Sequence, residues 1–272
     1  MKTLLFDAGN TRLKWALCEK GQLSQQGSLR YKWPTLTAQL DGAFNKLLSE
    51  AGPLNGVTMC NVAGHKLAAV LQAILQEKMS SSLAESRAHG HEQLKESAPL
   101  TINNVIAQSN AYGVRCAYEN PAQLGADRWA ALVAARHHIA GSSCIIDCGT
   151  ALTVDVLSAE GRHAGGIIIP GMEMMMSELV ENTDGVFASE QPDLSPLEVT
   201  DTAGAVQAGV IAAMRGAVHQ VLQYCRDEFG DAPDCVLTGG NAQRLLPGLP
   251  GNTVVEPDWV LKGLAVIATA DQ

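Results

Sequence analysis

The chain has 272 residues, of which 46% are hydrophobic and 17% are charged, and its formal net charge is −9. This composition is typical of a globular protein rather than a disordered one, and the length is sufficient for two domains. The negative charge argues against nucleic acids and anionic membranes as partners. It does not exclude an anionic ligand, because backbone amides and a bound metal ion can hold phosphate without a basic surface.

The N-terminal residues run directly into a strand-like segment with no signal-peptide core, and no apolar run approaches the roughly 18 residues of a membrane span. The cysteine count is odd, no CxxC pair occurs, and several cysteines lie inside apolar strand-like runs. These features predict reduced core cysteines in a cytoplasmic protein. The cysteines are at positions 18, 60, 116, 144, 148, 225 and 235.

The first hundred residues alternate between strand-like and helix-like patterns, which is typical of an α/β domain. A polar stretch over residues 79–98 predicts a connection or a helix with a solvated face. Strands are predicted over residues 3–8, 12–18 and 57–62, and helices over residues 35–50 and 67–77.

The remainder of the chain predicts a second set of alternating elements, with a long Ala-rich helix at its beginning. Strands are predicted over residues 144–147, 152–157, 163–169, 235–237 and 253–256. Helices are predicted over residues 124–139, 174–181, 203–229 and 259–270.

One short sequence motif occurs twice. Asp7-Ala8-Gly9-Asn10-Thr11 and Asp147-Cys148-Gly149-Thr150 each follow an apolar run and precede a second strand-like run. Such a corner places a carboxylate, a hydroxyl and backbone N–H groups at one edge of a sheet, where they suit phosphates and the accompanying cation. The two copies predict two related domains that face one nucleotide across a cleft, and the separation of 140 residues between the two aspartates matches a duplicated domain rather than a solenoid.

In the first copy, Gly9 and the following amides would surround a phosphate, Thr11 and Lys14 would contact it, and Asp7 would hold Mg²⁺ directly or through water. The alternative is an ordinary Asn-containing hairpin turn. In the second copy, Asp147 lies at the end of a strand, where a cation is plausible. Asp155, eight residues later, is equally explained as a solvating group at a strand edge.

Two further segments are candidates for the functional site. Leu237-Thr238-Gly239-Gly240-Asn241 is either a backbone that approaches a base or ribose closely, as glycine permits, or a generic turn. Gly125-Ala126-Asp127-Arg128 begins a long helix and is either a general base beside a cationic anchor or an aspartate favoured by the helix dipole. No GxxxxGK[ST] loop is present, which excludes a P-loop kinase.

Taken together, these motifs resemble the phosphate 1, phosphate 2 and adenosine motifs of the actin/hexokinase/Hsp70-type ATP-binding superfamily. More narrowly, the chain resembles type III pantothenate kinases. The most discriminating part is the Tyr-x-x-Pro-x-x-Leu-Gly-x-Asp-Arg run from Tyr118 to Arg128. The other matching segments are Asp7–Lys14, Asp147–Thr153, Gly165–Gly171 and Gly239–Asn241.

The resemblance implies an α/β protein with two ribonuclease-H-like (actin-type ATPase) domains and a nucleotide cleft between them. We expect the domains to cover residues 1–117 and 118–272, with the C-terminal helix, 259–270, able to pack back on the first. The family is dimeric, so a homodimer with its acceptor site close to the subunit interface is expected.

The implied reaction is the ATP-dependent phosphorylation of pantothenate to 4′-phosphopantothenate, the first step of coenzyme A biosynthesis. The implied cofactors are ATP with Mg²⁺ and a monovalent cation, K⁺ or NH₄⁺, at Asp147. Asp127 is the implied catalytic base. The implied ATP contacts are Asp7, Ala8, Gly9, Asn10, Thr11, Arg12, Leu13, Lys14 and Thr150. The implied pantothenate contacts are Tyr118, Gly125, Ala126, Asp127, Arg128 and Thr183.

The sequence departs from the family pattern in two places. The strand that often ends Ser-Ser-Val-x-Pro here reads Cys60-Asn61-Val62-Ala63-Gly64, and Asn182-Thr183-Asp184-Gly185-Val186 stands where Thr-Ala-x-Leu-Pro is usual. Two alternatives remain open: a kinase of another small hydroxyl substrate, and a non-catalytic regulatory relative. A regulator need not retain Asp7, Asp127 and Asp147, so the three aspartates favour an enzyme.

Overall fold

The structure of the protein, a computed structural model, describes residues 2–52, 54–88, 102–185 and 197–270. The chain divides into two compact units that are each assembled from separate stretches of sequence. The first unit contains Met1–Ala107, Ala122–Ala130 and Val260–Gln272, and the second contains Gln108–Pro121 and Ala131–Trp259. The predicted domains, 1–117 and 118–272, remain a prediction.

The first unit is built on a five-stranded sheet with the order β3-β2-β1-β4-β5. Strand β1 is antiparallel to β2 and parallel to β4, so the chain leaves the central strand by a tight turn and returns to its other side through a helix. The strands are β1 (Lys2–Ala8), β2 (Arg12–Glu19), β3 (Gln22–Arg30), β4 (Gly56–Asn61) and β5 (Ile102–Asn104). The helices before residue 107 are α1 (Leu36–Ala51) and α2 (His65–Ala88), with a 3-10 turn at Trp33–Thr35.

The apolar core of the first unit combines a continuous apolar run in a strand with apolar residues at helical spacing in a helix. Strand β1 is buried along Thr3–Phe6, as expected for a central strand covered on both faces. Helix α1 directs a stripe at helical spacing towards the sheet, and the Phe44 ring packs against Phe6 and Trp15. The buried members of the α1 stripe are Leu36, Leu40, Phe44 and Leu47.

The second unit repeats this plan with the order β10-β9-β8-β11-β12. Here β8 is antiparallel to β9 and parallel to β11, just as β1 is to β2 and β4. The prediction of two related α/β domains is therefore confirmed by the two sheets. The strands are β6 (Asn110–Ala111), β7 (Val114–Arg115), β8 (Ser143–Cys148), β9 (Ala151–Leu157), β10 (His163–Pro170), β11 (Asp234–Thr238) and β12 (Val254–Val255).

Five helices lie in the described part of the chain after residue 121. Helix α3 contributes its first five residues to the first unit and the rest to the second, and the last helix after Trp259 belongs to the first unit. The long α5 supplies the largest apolar face over the second sheet, including Met214, Val218 and Leu222. The helices are α3 (Ala126–His138), α4 (Met172–Asn182), α5 (Thr202–Phe229), α6 (Ala242–Leu245) and α7 (Trp259–Ala270).

The predicted elements are confirmed in kind and place, but the short strands β5, β6 and β7 and the four-residue helix α6 were not predicted. Strand β3 was not predicted, because its residues, QLSQQGSLR, are polar and it lies at the edge of the sheet with little burial. Helix α2 was expected to end near Glu77 but continues to Ala88. Residues 89–98 of the predicted polar stretch lie outside the described residues.

All seven cysteines are free thiols, and the prediction of core residues is confirmed for the six that are buried, whereas Cys116 is half-buried. Within the described ranges, none of the helices combines the length and hydrophobicity that a bilayer crossing needs.

Candidate active site

The first Asp-x-Gly-x-Thr segment forms the turn between β1 and β2. The strands pair so that Asp7 lies opposite Lys14, and the Gly9 N–H donates to the Arg12 carbonyl over 3.0 Å. The side chains of Asn10, Thr11 and Arg12 are exposed at the turn. Those of Ala8 and Leu13 are fully buried in the core, so these two residues can offer a ligand only their backbone.

Tyr31, directly after β3, holds this turn at two points. Its hydroxyl donates to the Gly9 carbonyl over 2.8 Å, and its backbone N–H donates to the Thr11 carbonyl over 3.3 Å. The side chain is 7% exposed. Tyr31 was not predicted as a site residue, because nothing in the sequence pairs this position with a turn about 20 residues earlier.

Asp7 lies beside a buried thiol. Strands β1 and β4 are parallel with Asp7 opposite Cys60, and the Cys60 Sγ donates to Asp7 Oδ1 over 3.6 Å. Burial raises the pKa of the Cys60 thiol well above its ordinary value, and the charges of Asp7 and Asp127 raise it further. The thiol therefore stays protonated near neutral pH and acts as a donor rather than a nucleophile.

Asp127 lies in the first turn of α3, where its charge is favoured by the helix dipole. Its Oδ1 accepts from the Arg128 N–H over 2.7 Å, so the carboxylate is folded back over the start of the helix. A Cβ at Gly125 would lie 2.6 Å from that same oxygen, and 3.9 Å from Cγ1 of Val62 just after β4. Glycine is therefore required at position 125 for the carboxylate to adopt this position.

These contacts place two candidate carboxylates in one neighbourhood of the first unit. Asp7 and Asp127 are 120 residues apart in sequence, yet both lie close enough to Cys60 for their charges to raise the pKa of its thiol. Both are half-buried. Such a pair suits chemistry that needs one carboxylate beside a cation and another beside a reacting hydroxyl.

The second Asp-x-Gly-Thr segment forms a two-residue turn between β8 and β9. The Gly149 N–H donates to the Ala151 carbonyl over 3.0 Å, and Asp147 lies opposite Thr153. Gly171, after β10, packs directly on this turn. A Cβ at Gly171 would lie 2.4 Å from the Thr150 carbonyl oxygen, so only glycine allows this approach.

The Gly239-Gly240 segment packs on the same turn from the other side. Gly239 has φ +95°, and a Cβ there would lie 2.5 Å from Asp147 Oδ1 and 2.4 Å from the carbonyl carbon of Cys148. The Asn241 N–H donates to the Cys148 carbonyl over 3.0 Å. The two glycine-bearing segments that were singled out separately in the sequence are thus joined at one corner of the second unit.

Asp155 is not a solvating group at a strand edge, and this interpretation was wrong. It is 2% exposed, and its Oδ1 lies 2.9 Å from Nε2 of His163, which is 1% exposed. The strand β9 is hydrogen-bonded to β8 on one side and to β10 on the other, so Asp155 does not lie at an edge of the sheet. The ring of Tyr118 stacks on the His163 ring with centroids 6.2 Å apart and an interplanar angle of 16°.

Comparisons with known proteins decide the family. A family model described as type III pantothenate kinase matches residues 3–224. A type III pantothenate kinase of Nitrosococcus oceani is 36% identical over 270 residues, with 97% of this chain and 93% of that protein covered. The chain belongs to the type III pantothenate kinase family.

Two solved structures with much lower sequence identity to this chain confirm the fold predicted for a type III pantothenate kinase. A conserved Baf-family protein of Campylobacter jejuni has a TM-score of 0.56 at 18% identity, with 99% of this chain and all of that chain covered. Component A of the (R)-2-hydroxyglutaryl-CoA dehydratase of Acidaminococcus fermentans has a TM-score of 0.54 at 13% identity, with 99% and 97% covered. The actin-type ATPase fold is therefore shared.

The residues predicted for the kinase site fall into two sets. The turn after β1 and the start of α3 lie in the first unit, whereas Tyr118, Asp147, Thr150 and Thr183 lie in the second. Thr183 follows the last residue of α4, is exposed, and donates from Oγ1 to the Leu179 carbonyl over 2.6 Å. Its hydroxyl thus already has a partner within its own helix.

The candidate cation ligands in the two units, Asp7 and Asp147, are carboxylates near strand ends. In the described part of the chain, no group of three or more His, Cys, Asp and Glu side chains is arranged to hold a metal ion. Mg²⁺ in nucleotide enzymes is usually bound by one or two carboxylates together with phosphate oxygens and water. Asp7, half-buried at a strand end beside exposed amides, fits that requirement.

Proposed function

We propose that this chain transfers the γ-phosphoryl group of ATP to the primary hydroxyl of pantothenate, giving 4′-phosphopantothenate in the first step of coenzyme A biosynthesis. The observation that carries the proposal is membership of the type III pantothenate kinase family along residues 3–224. The neighbourhood of Asp7, Cys60 and Asp127 supports it, because phosphoryl transfer to an alcohol needs a cation-binding carboxylate and a proton acceptor close together.

The turn after β1 is proposed to bind the phosphates of ATP. The Gly9 N–H already donates to the Arg12 carbonyl, so the phosphate donors offered by this exposed turn are the backbone N–H groups that follow Gly9 and the Thr11 hydroxyl. Lys14 adds a positive charge on the paired strand. The proposed ATP contacts of Ala8 and Leu13 are made through the backbone. Thr150 is proposed as a further ATP contact from the second unit.

Asp127 is proposed as the base that aligns the pantothenate hydroxyl and accepts its proton late in the transfer. A base of this kind contributes about 10²–10⁴-fold to the rate, and positioning and charge neutralisation contribute the remainder. Because the Cys60 thiol keeps its own proton, it does not compete for this role. Arg128, whose side chain is 5% exposed, is proposed to anchor the pantothenate carboxylate through paired hydrogen bonds.

Two cations are proposed. Mg²⁺ would be held by Asp7, directly or through water, and would neutralise charge on the transferred phosphoryl group. A monovalent cation, K⁺ or NH₄⁺, would be held at Asp147, whose carboxylate lies at a corner where Gly149 and Gly239 keep backbone close to it.

We further propose a cytoplasmic homodimer. Helices α4 and α5 form an open groove of about 750 Å³ with an almost wholly apolar lining, and Met174 and Leu179 on α4 are more than 40% exposed. A second copy of the chain would cover this apolar surface. The free state of all seven thiols suits a reducing compartment.

The direct test is an ADP-release assay with purified protein, ATP and Mg²⁺, in which pantothenate is compared with a panel of other small hydroxyl compounds, with and without K⁺. Among the acceptors, we expect only pantothenate to give rapid ADP release, and we expect K⁺ to increase its rate. Preferential turnover of another acceptor would replace the proposed substrate. The absence of ADP release with every acceptor would favour the regulatory alternative.

A further inference from the structure

The second unit contains a buried polar pair that the reaction above does not use. Asp155 on β9 and His163 on β10 have side chains 3% and 0% exposed, and they form a hydrogen bond of 2.9 Å. The other ring nitrogen of His163, Nδ1, is buried with no hydrogen-bond partner among the residues that the structure describes. A pair of apolar side chains would fill this interior at lower cost, so the pair calls for a role beyond stability.

The hydrogen bond fixes the plane of the imidazole ring. A ring held at Nε2 by a carboxylate on the neighbouring strand cannot turn about its χ2 angle without breaking that bond. The Tyr118 ring lies nearly parallel to this fixed plane, at 16°, with 6.2 Å between centroids. Offset stacking of this kind constrains the orientation of the tyrosine ring.

The segment that carries Tyr118 is tied to the same part of the sheet. The Arg115 N–H donates to the Gly161 carbonyl over 2.8 Å, and Arg136 Nε donates to the Gly113 carbonyl over 3.2 Å. A Cβ at Gly161 would lie 2.0 Å from that Gly113 carbonyl oxygen, so the backbones of the two segments are in direct contact. The β9–β10 turn therefore supports the backbone before Tyr118, and His163 at the start of β10 supports its ring.

We infer that Asp155 and His163 are positioning residues for Tyr118, and that they set the affinity for the acceptor substrate without touching it. This inference rests on the proposed function, in which Tyr118 contacts pantothenate. Asp155 orients His163, His163 orients the Tyr118 ring, and the ring presents a fixed surface to the acceptor. The ATP-binding residues have no part in this chain of contacts.

The test is steady-state kinetics with each substrate varied in turn. His163→Leu removes the ring on which Tyr118 stacks, and Asp155→Asn keeps a side-chain oxygen that can accept from Nε2. Because His163→Leu removes one hydrogen-bond partner of a buried carboxylate, the double variant Asp155→Val/His163→Leu provides a second form with an apolar pair. His219→Leu is the control, since His219 lies on α5 and its ring bonds the backbone carbonyl of Gly248.

For His163→Leu and the double variant we expect KM for pantothenate to rise about 2- to 10-fold, the range that one aromatic stacking pair supports, with KM for ATP unchanged. Asp155→Asn and His219→Leu should stay within about 2-fold of the parent protein. In a Tyr118→Ala background, His163→Leu should produce no further rise in KM for pantothenate.

The outcomes separate this inference from the proposed function. If Tyr118→Ala raises KM for pantothenate but the folded double variant does not, the positioning role is overturned while the proposed contact of Tyr118 stands. Equal rises in both KM values, or additive effects of Tyr118→Ala and His163→Leu, also overturn it. If Tyr118→Ala itself leaves KM for pantothenate unchanged, the proposed contact fails and the inference fails with it.

Discussion

At the scale of single residues, the position of the candidate base, Asp127, depends on the absence of a side chain at Gly125. Asp127 folds back towards its own helix start and accepts the Arg128 N–H, in space that a Cβ at Gly125 would occupy. Gly125 needs no unusual backbone dihedral, so its requirement is one of space alone. The sequence showed Gly125 and Asp127 two residues apart, and the structure gives the reason for that spacing.

We predict that Gly125→Ala will lower kcat by about 10- to 100-fold, a substantial part of what a positioned base contributes, with little change in KM for ATP. The added Cβ would lie 2.6 Å from Asp127 Oδ1 and would displace the carboxylate. Gly42→Ala on α1 is the matched control, since no atom lies within 4 Å of a Cβ there. Equal kcat values for the two variants would contradict the steric account.

Residues that carry a recognisable motif were predictable, but their long-range partners were not. Asp7 and Asp127 stand in segments with characteristic spacing. Cys60 reaches Asp7 only through the parallel pairing of β1 with β4, and Tyr31 reaches Gly9 only through the return of β3. Neither contact leaves a local signal in the sequence, because both are set by strand register.

At the scale of elements, the second unit brings three chain segments to one corner. The β8–β9 turn lies between Gly171 at the end of β10 and Gly239 at the end of β11, and each glycine approaches backbone atoms more closely than a Cβ would allow. Strand ends that carry glycine can therefore pack backbone against backbone. This packing fixes where the Asp147 carboxylate lies.

We predict that Gly239→Ala will weaken ATP binding and reduce activation by K⁺, because the new Cβ would meet Asp147 Oδ1 at 2.5 Å and because φ +95° is strained for alanine. Its neighbour Gly240 is the matched control, since no atom lies within 4 Å of a Cβ there. The measurements are the ATP dissociation constant and the K⁺ dependence of turnover. A Gly239→Ala protein that matches Gly240→Ala in both would show that this contact is dispensable.

Central elements were easier to predict than peripheral ones. Strands β1 and β8 are apolar along their length because helices and neighbouring strands cover them, and that pattern is visible in the sequence. Strand β3 is largely exposed and polar. It pairs with β2 through backbone hydrogen bonds, which any sequence can make, so no side-chain pattern identified it.

At the scale of the whole molecule, the duplication seen in the two Asp-x-Gly motifs extends to the complete sheet order of both units. Each unit has its own apolar core, built from its own strands and helices. The fold class could be predicted because the repeated motif marks the first hairpin of each sheet. The assignment of α7 after Trp259 to the first unit depends on packing that the sequence does not display.

Stability at high pH should reflect the buried thiols. Burial, and then the charge of Asp147, raises the pKa of Cys148 from 9.0 to about 12. Between these values the unfolded chain has lost the thiol proton and the folded protein has kept it. The free energy of unfolding therefore falls as pH rises, by about 1.4 kcal/mol per pH unit for this one group.

We predict that Cys148→Ala will flatten this fall, whatever its effect on stability at neutral pH. Urea unfolding in a reducing buffer at about pH 8 and about pH 10, for the parent and the variant, measures the difference in slope. Parallel slopes for the two proteins would show that Cys148 ionises equally in the folded and unfolded states.

Asp127 is proposed to act on the acceptor while the turn after β1 holds ATP, and comparing Asp127→Asn with the parent protein separates these two roles. Asp127→Asn preserves the shape of the side chain and removes its basicity. We predict that the variant will bind ATP with a dissociation constant within a few-fold of the parent and will form 4′-phosphopantothenate at least about 10²-fold more slowly. Near-parental product formation by Asp127→Asn would contradict the account.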